Sequence, residues 1–103
     1  MKERTFRFAK NVSFEYCKKL PKTISNREYV KQIIRASGSV GANCIEANEA
    51  LSDKDFVYRV KICRKESKES VYLLRLIYET NPDEFKEETK ALFGEASEQT
   101  KIF

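Results

Sequence analysis

Apolar residues recur at three- and four-residue steps along nearly the whole 103-residue chain, the spacing of one face of an α-helix. Four helices are predicted. The first runs from about Arg4 to Leu20, with Phe6, Ala9, Val12, Ser13, Tyr16, Cys17 and Leu20 on its inner side, and Pro21 ends it. The second opens on Ser25-Asn-Arg-Glu28, a capping box in which serine and glutamate satisfy free backbone N–H groups. Its stripe is Val30, Ile33, Ile34, Ser37, Val40, Gly41, Cys44, Ile45 and Asn48. Ser52-Asp-Lys-Asp55 starts the third, which meets no breaker before about Thr80 and carries Phe56, Val60, Cys63, Ser67, Ser70, Leu74 and Ile77 as an a/d seam. Asn81 is the expected cap of the fourth, from about Pro82 to Gln99, with Phe85, Leu92, Phe93 and Ala96 inside. Gly94 is expected to end or bend that helix, and Lys101-Ile-Phe103 to fray or dock.

Arg35–Ala50 is the stretch around which this pattern is organised. Gly38 and Gly41 sit inside it without breaking the helical period, although each costs a helix interior about 1 kcal/mol relative to alanine. Close approach of another backbone would offset that cost. Ser67 and Ser70 thin the seam of the third helix, so an antiparallel hairpin of helices two and three is the predicted partner arrangement. Ser39, Asn43 and Glu46 fall on a flank, a polar edge suited to hydrogen bonds between helices.

Two prolines, three glycines and no evenly spaced turn signals make the chain all-α: one domain, residues 1–103, folded as an antiparallel up-and-down four-helix bundle. No apolar run approaches the roughly 20 residues of a membrane span, and Met-Lys-Glu-Arg-Thr-Phe-Arg-Phe is no signal peptide, so no membrane association and a cytoplasmic location are expected. Cys17, Cys44 and Cys63 are odd in number, lack C-x-x-C spacing and fall on apolar sides, as reduced structural thiols do.

Charge changes the picture more than composition does. The formal net charge is +4, but residues 1–40 hold ten Lys/Arg against three Asp/Glu, residues 41–80 seven against seven, and residues 81–103 three against six. The front is basic and the tail acidic. Arg4, Arg7 and Lys18 share the wet side of helix one, while Lys61, Arg64, Lys65, Lys68 and Arg75, with Tyr72 among them, form a stripe about 100° wide on helix three. Such stripes follow phosphates, and Tyr72 could stack on a base. The alternative is a solvated face, or one paired with the acidic fourth helix of a neighbour. Beside the seam, Tyr58, Ile62, Leu73 and Leu76 form an apolar shoulder that either helix four or another subunit must cover. That shoulder is the candidate oligomer interface or adaptor surface.

Catalytic chemistry has no candidates. The chain has no histidine, so the usual base and metal ligand are missing, and neither a catalytic triad nor the Glu-x-x-His di-metal design of helical bundles can be built. No catalytic residue, metal or cofactor is assigned. Gly38-Ser-Val-Gly41 matches the Gly-x-x-Gly of a KH loop only in letters, because its surroundings have helical period. The expected function is non-enzymatic binding of RNA or DNA, with a protein–protein adaptor or structural oligomer as the alternative.

The run Ser37-Gly-Ser-Val-Gly-Ala-Asn-Cys-Ile-Glu-Ala-Asn-Glu-Ala50, then Ser52-Asp-Lys-Asp-Phe56, then Arg59-Val-Lys-Ile-Cys-Arg-Lys-Glu-Ser-Lys-Glu-Ser-Val-Tyr-Leu-Leu-Arg-Leu-Ile77, resembles the bacterial four-helix-bundle proteins encoded in intervening sequences of 23S ribosomal RNA genes. This family is also called S23, and the accessory variability protein of diversity-generating retroelements is similar to it. The resemblance covers about residues 5–80. It implies an antiparallel bundle assembled as a ring-like homo-oligomer, typically a pentamer, with a basic surface; the retroelement relative binds nucleic acid and a reverse transcriptase. Asn43, Glu46, Ser52 and Phe56 match family positions. Cys44 replaces a commonly larger residue and Leu74 a common tryptophan, so local packing is expected to differ.

Overall fold

Three interruptions, at residues 20–23, 49–52 and 81–82, divide the chain into four helical segments. The computed structural model describes residues 2–103. Helix α1 covers Lys2–Lys10 and continues through a wide turn, Asn11–Tyr16, and a tight one, Cys17–Lys19; α2 is Ile24–Asn48, α3 is Asp53–Thr80, and a 3₁₀ turn, Asp83–Phe85, leads into α4, Lys86–Ile102. Helix α1 packs on α2 and α4, and α3 packs on the same two, so α1 and α3 occupy opposite corners of an antiparallel four-helix bundle. No strand occurs among the described residues.

The third helix follows its sequence pattern closely. Ser52 Oγ accepts from Asp55 N at 3.1 Å, and Cys63, Ser67, Ser70, Leu74 and Ile77 are buried. Its first seam residue, Phe56, is instead about half exposed. The reason is length. At about 1.5 Å per residue the 28 residues of α3 reach about 42 Å, whereas the 17 of α4 reach about 25 Å. Phe103 ends α4 against Val40, Cys44 and Cys63, and Thr5 of α1 lies level with Gly41. The last turn of α2 and the first turns of α3 therefore project as a two-helix tip, with Leu51 99% exposed.

Helix α1 departs from the expected register. Phe6 lies outside at 59% exposure and Ser13 is exposed, while Thr5 and Phe8 are buried with Val12, Tyr16, Cys17 and Leu20. The cause is the wide turn, in which Cys17 N donates to Val12 O. An i→i+5 turn holds more residues than 3.6, so Phe8, Val12, Tyr16 and Leu20 stay on one face at steps of four, and the segment before them is rotated. On α2, Ile34, Ile45 and Asn48 turn outward as well, and Ala36 and Ala47 are buried instead.

Two caps also differ. The N-cap of α2 is Thr23, whose Oγ1 accepts from Asn26 N at 3.0 Å, not Ser25. This earlier start places the Asn26 amide against Asn81: Asn26 Nδ2 donates to Asn81 Oδ1 at 2.7 Å, and Asn81 Nδ2 donates to Asn26 Oδ1 at 3.0 Å and to Ile77 O at 3.0 Å. Asn81 thus closes the end of α3 and ties it to α2 rather than capping α4. Helix α4 runs unbroken through Gly94.

The larger core joins Phe8, Val12, Tyr16, Ile33, Leu73, Leu74, Ile77 and Leu92, with Ala96 beside them. Inside it Tyr16 Oη and Thr89 Oγ1 share a hydrogen bond of 2.6 Å, and Thr89 donates onward to Phe85 O. The three cysteines are buried free thiols, and Cys44 Sγ lies 3.6 Å from Cys63 Sγ. Burial pushes the Tyr16 phenol up to about 12, the Cys17 thiol to about 11 and the Cys63 thiol to about 12.

Leu74→Ala is expected to cost about 2–5 kcal/mol, because it opens a cavity in a fully enclosed site. Phe56→Ala, at the projecting tip, should cost under about 1 kcal/mol in a monomer, and urea titration of both variants separates the two cases. Stability is also expected to fall in alkali. The raised values mean that the folded state keeps protons the unfolded chain has released, so the contribution is complete below the ordinary Cys and Tyr range, and is lost as pH rises through about 11 to 12. Tyr16→Phe should cost about 1 kcal/mol at neutral pH through the lost hydrogen bond, yet flatten the alkaline fall by up to about 1.4 kcal/mol per pH unit. Urea titrations across pH 8–12 measure both effects.

Candidate nucleic-acid interface

The outward face of α3 is fixed by its inward one. With Cys63, Ser67, Ser70, Leu74 and Ile77 buried, the 3.6-residue period turns Lys61, Arg64, Lys65, Lys68, Tyr72 and Arg75 to solvent, and all six are exposed. The Tyr72 ring is 60% exposed. From Lys61 to Arg75 the row spans about 21 Å at 1.5 Å per residue.

The carboxylates of α3 in this region are engaged sideways. Arg35 of α2 donates to Glu66 at 3.1 Å and also to Glu69. Arg59 lies 3.8 Å from Asp55 and donates to Asn43 Oδ1 at 3.2 Å, while Asn43 Nδ2 donates to Ser39 O. Ser39 and Asn43 therefore serve as the polar edge between helices, and Glu46 stays out of that contact. Lys61, Arg64, Lys65, Lys68 and Arg75 make no ion pair among the described residues. A segment that is neutral by residue count thus presents a cationic face.

The candidates on α1 do not join that face, because α1 sits at the opposite corner of the bundle. Arg4 is held by Glu95, Nε to Oε2 at 2.6 Å and Nη2 to Oε1 at 3.0 Å, a two-pronged tether between α1 and α4. The hydrogen bond from Arg4 holds the Glu95 carboxyl below its usual range, aided by Gln99, and Arg4 is raised in turn. Arg4 is a structural contact and not a free phosphate ligand. Arg7 is exposed, 3.7 Å from Glu3, and Lys18 lies 4.7 Å from the centre of the Phe14 ring.

The apolar shoulder is divided. Leu73 is buried in the core with Leu92 and Ala96, and Leu76 packs partly against them, so α4 of the same chain covers this half and removes Leu73 from any interface. Tyr58 stays exposed and Ile62 half-buried. Sequence reading missed a second apolar surface, a groove between α1 and α2 lined by Phe6, Phe14, Ile34 and Ile45. Its signal was present in the surplus of apolar residues on α1, but the uniform helical wheel placed Phe6 inside. Neither glycine is needed for close packing within the chain: a Cβ on Gly38 would meet nothing within 4 Å, and one on Gly41 would rest 3.5 Å from Thr5 Oγ1.

No group of three or more His, Cys, Asp or Glu side chains suited to a metal occurs among the described residues, and no helix there is long and apolar enough to cross a membrane. The same architecture is found in a crystal structure titled as a protein with unknown function from the S23 ribosomal protein family, from Bacteroides thetaiotaomicron VPI-5482. It matches with a TM-score of 0.80 at 27% identity, over 98% of this chain and 92% of that one. No curated protein matches. The sequence profile of the 23S rRNA-intervening sequence protein family matches residues 1–103, and the chain belongs to that family.

Proposed function

We propose that this protein is a non-enzymatic, cytoplasmic homo-oligomer that holds RNA or DNA on the outer face of α3 without reading its sequence. The observation that carries this reading is the row Lys61, Arg64, Lys65, Lys68 and Arg75, unpaired while the neighbouring Glu66 and Glu69 are taken by Arg35. A rigid row of cations about 21 Å long can neutralise several phosphates, which in duplex DNA recur every 3.4 Å or so along each strand. Tyr72, in the middle of the row, offers an open ring for stacking on an unpaired base. No Asn or Gln lies among these residues to pair with base edges, which suits non-specific binding. The family name supports ribosomal RNA as the first ligand to try. Exposed Phe6, Phe14, Phe56 and Tyr58 support self-association, and the same surfaces are what an adaptor without a nucleic-acid role would use.

Binding to mixed-sequence single-stranded RNA is expected to weaken with salt, with a slope of about −3.5 in log K against log salt if all five cations touch phosphate. Lys65→Glu with Lys68→Glu should lower low-salt affinity about tenfold or more and cut the slope to about −2, whereas Arg4→Ala should change neither. Fluorescence anisotropy over a salt series measures this. Undetectable binding at low salt, or binding indifferent to salt, refutes the phosphate contacts and leaves the adaptor reading.

A further inference from the structure

The fold leaves two apolar surfaces uncovered, on different parts of the molecule. One is the groove between α1 and α2, made of adjoining depressions of about 660 and 470 Å³ that share Phe6, Ala9 and Gly38. Phe14 and Ile34 line one end and Ile45 the other. The second surface is the projecting tip, where Leu51, Phe56, Val57 and Tyr58 are all exposed.

The rims of the two surfaces differ in charge. Lys2 and Lys10 line the groove, and exposed Lys31 stands one turn before Ile34; none is ion-paired among the described residues, and the one acid there, Glu3, lies towards Arg7. At the tip Glu46, Glu49 and Asp53 are exposed and unpaired, against the single free cation Lys54 among the described residues there; Asp55 and Arg59 face each other. A basic apolar groove and an acidic apolar projection on one molecule are complementary.

We propose that the groove of one copy receives the α2–α3 tip of the next. The contact is head-to-tail, because donor and acceptor surfaces differ, and such contacts close into rings when the rotation between copies permits. This inference rests on the homo-oligomer reading and names the surfaces that make it. It also accounts for Gly38. Nothing within the chain occupies the space above it, so the glycine leaves a floor on which a neighbour's side chains can rest.

Sedimentation of four samples at micromolar concentration tests the proposal: wild type, Gly38→Glu, Tyr58→Glu, and an equal mixture of the two variants. Gly38→Glu fills the groove and sets a carboxylate against the acidic tip. It meets no atom of its own chain and favours the helix, so its thermal midpoint should hold or rise. Phe14→Glu, at another exposed position of the groove, should act as Gly38→Glu does. The expected result is a multimeric wild type, single-chain masses for each variant alone, and a two-chain species in the mixture, where the intact tip of one variant meets the intact groove of the other. A wild type of single-chain mass overturns both this docking and the homo-oligomer reading. A multimeric wild type whose mass survives either variant, or a mixture that stays at one chain, overturns the docking alone.

Discussion

Everything else in this molecule depends on how α2 lies against α3. Val40 and Cys44 of α2 meet Cys63 of α3 in one buried cluster, and Cys63 Sγ comes within 3.6 Å of both Cys44 Sγ and the Val40 carbonyl oxygen. Side chains this small let the helices approach at backbone level over their middle turns. Towards the other end Ile33, Leu74 and Ile77 enter the main core, and the Asn26–Asn81 amide pair closes it. Once this seam is set, α3 has no rotational freedom left, and its opposite face is committed to solvent.

Charge is sorted by the same packing. Arg35 sits on the outer flank of the seam and takes Glu66 and Glu69, and Asn43 takes Arg59 beside Asp55. Surface pairs of this kind add little stability, on the order of 0–1 kcal/mol each. Their larger effect is on the electrostatic surface, since they remove anions from the neighbourhood of Lys65 and Lys68 and leave like charges about one helical turn apart. Such repulsion is tolerable in water and salt, and a polyanion would relieve it.

The small-residue stretch of α2 serves two sides at once. Ser37, Val40 and Cys44 face α3, whereas Gly38 and Ala42 face away from it, towards the groove beside α1. Its glycines therefore belong to the outer surface and not to the central hairpin. One helix can do this because successive positions differ by about 100°, so a run of small residues thins more than one face.

The sequence alone determined the features with local causes. Ser52 with Asp55 starts α3, and Asn81-Pro82 stops it, because a cap and a proline act within one turn. The a/d spacing of α3 predicted its buried face and hence its basic one, and the missing histidine is a fact of composition. Tertiary structure decided the rest. The wide turn at Asn11–Tyr16 re-phases α1, and only its fit against α2 and α4 selects it over a regular helix. Thr23 rather than Ser25 caps α2, where both residues could serve and the Asn26–Asn81 contact, 55 positions apart in the chain, distinguishes them. Whether Arg4 is a free cation or a tether, and whether Leu73 is surface or core, depends on α4. A helical period records that a residue has an inner or an outer side; which partner lies there is set by contacts that the period does not contain.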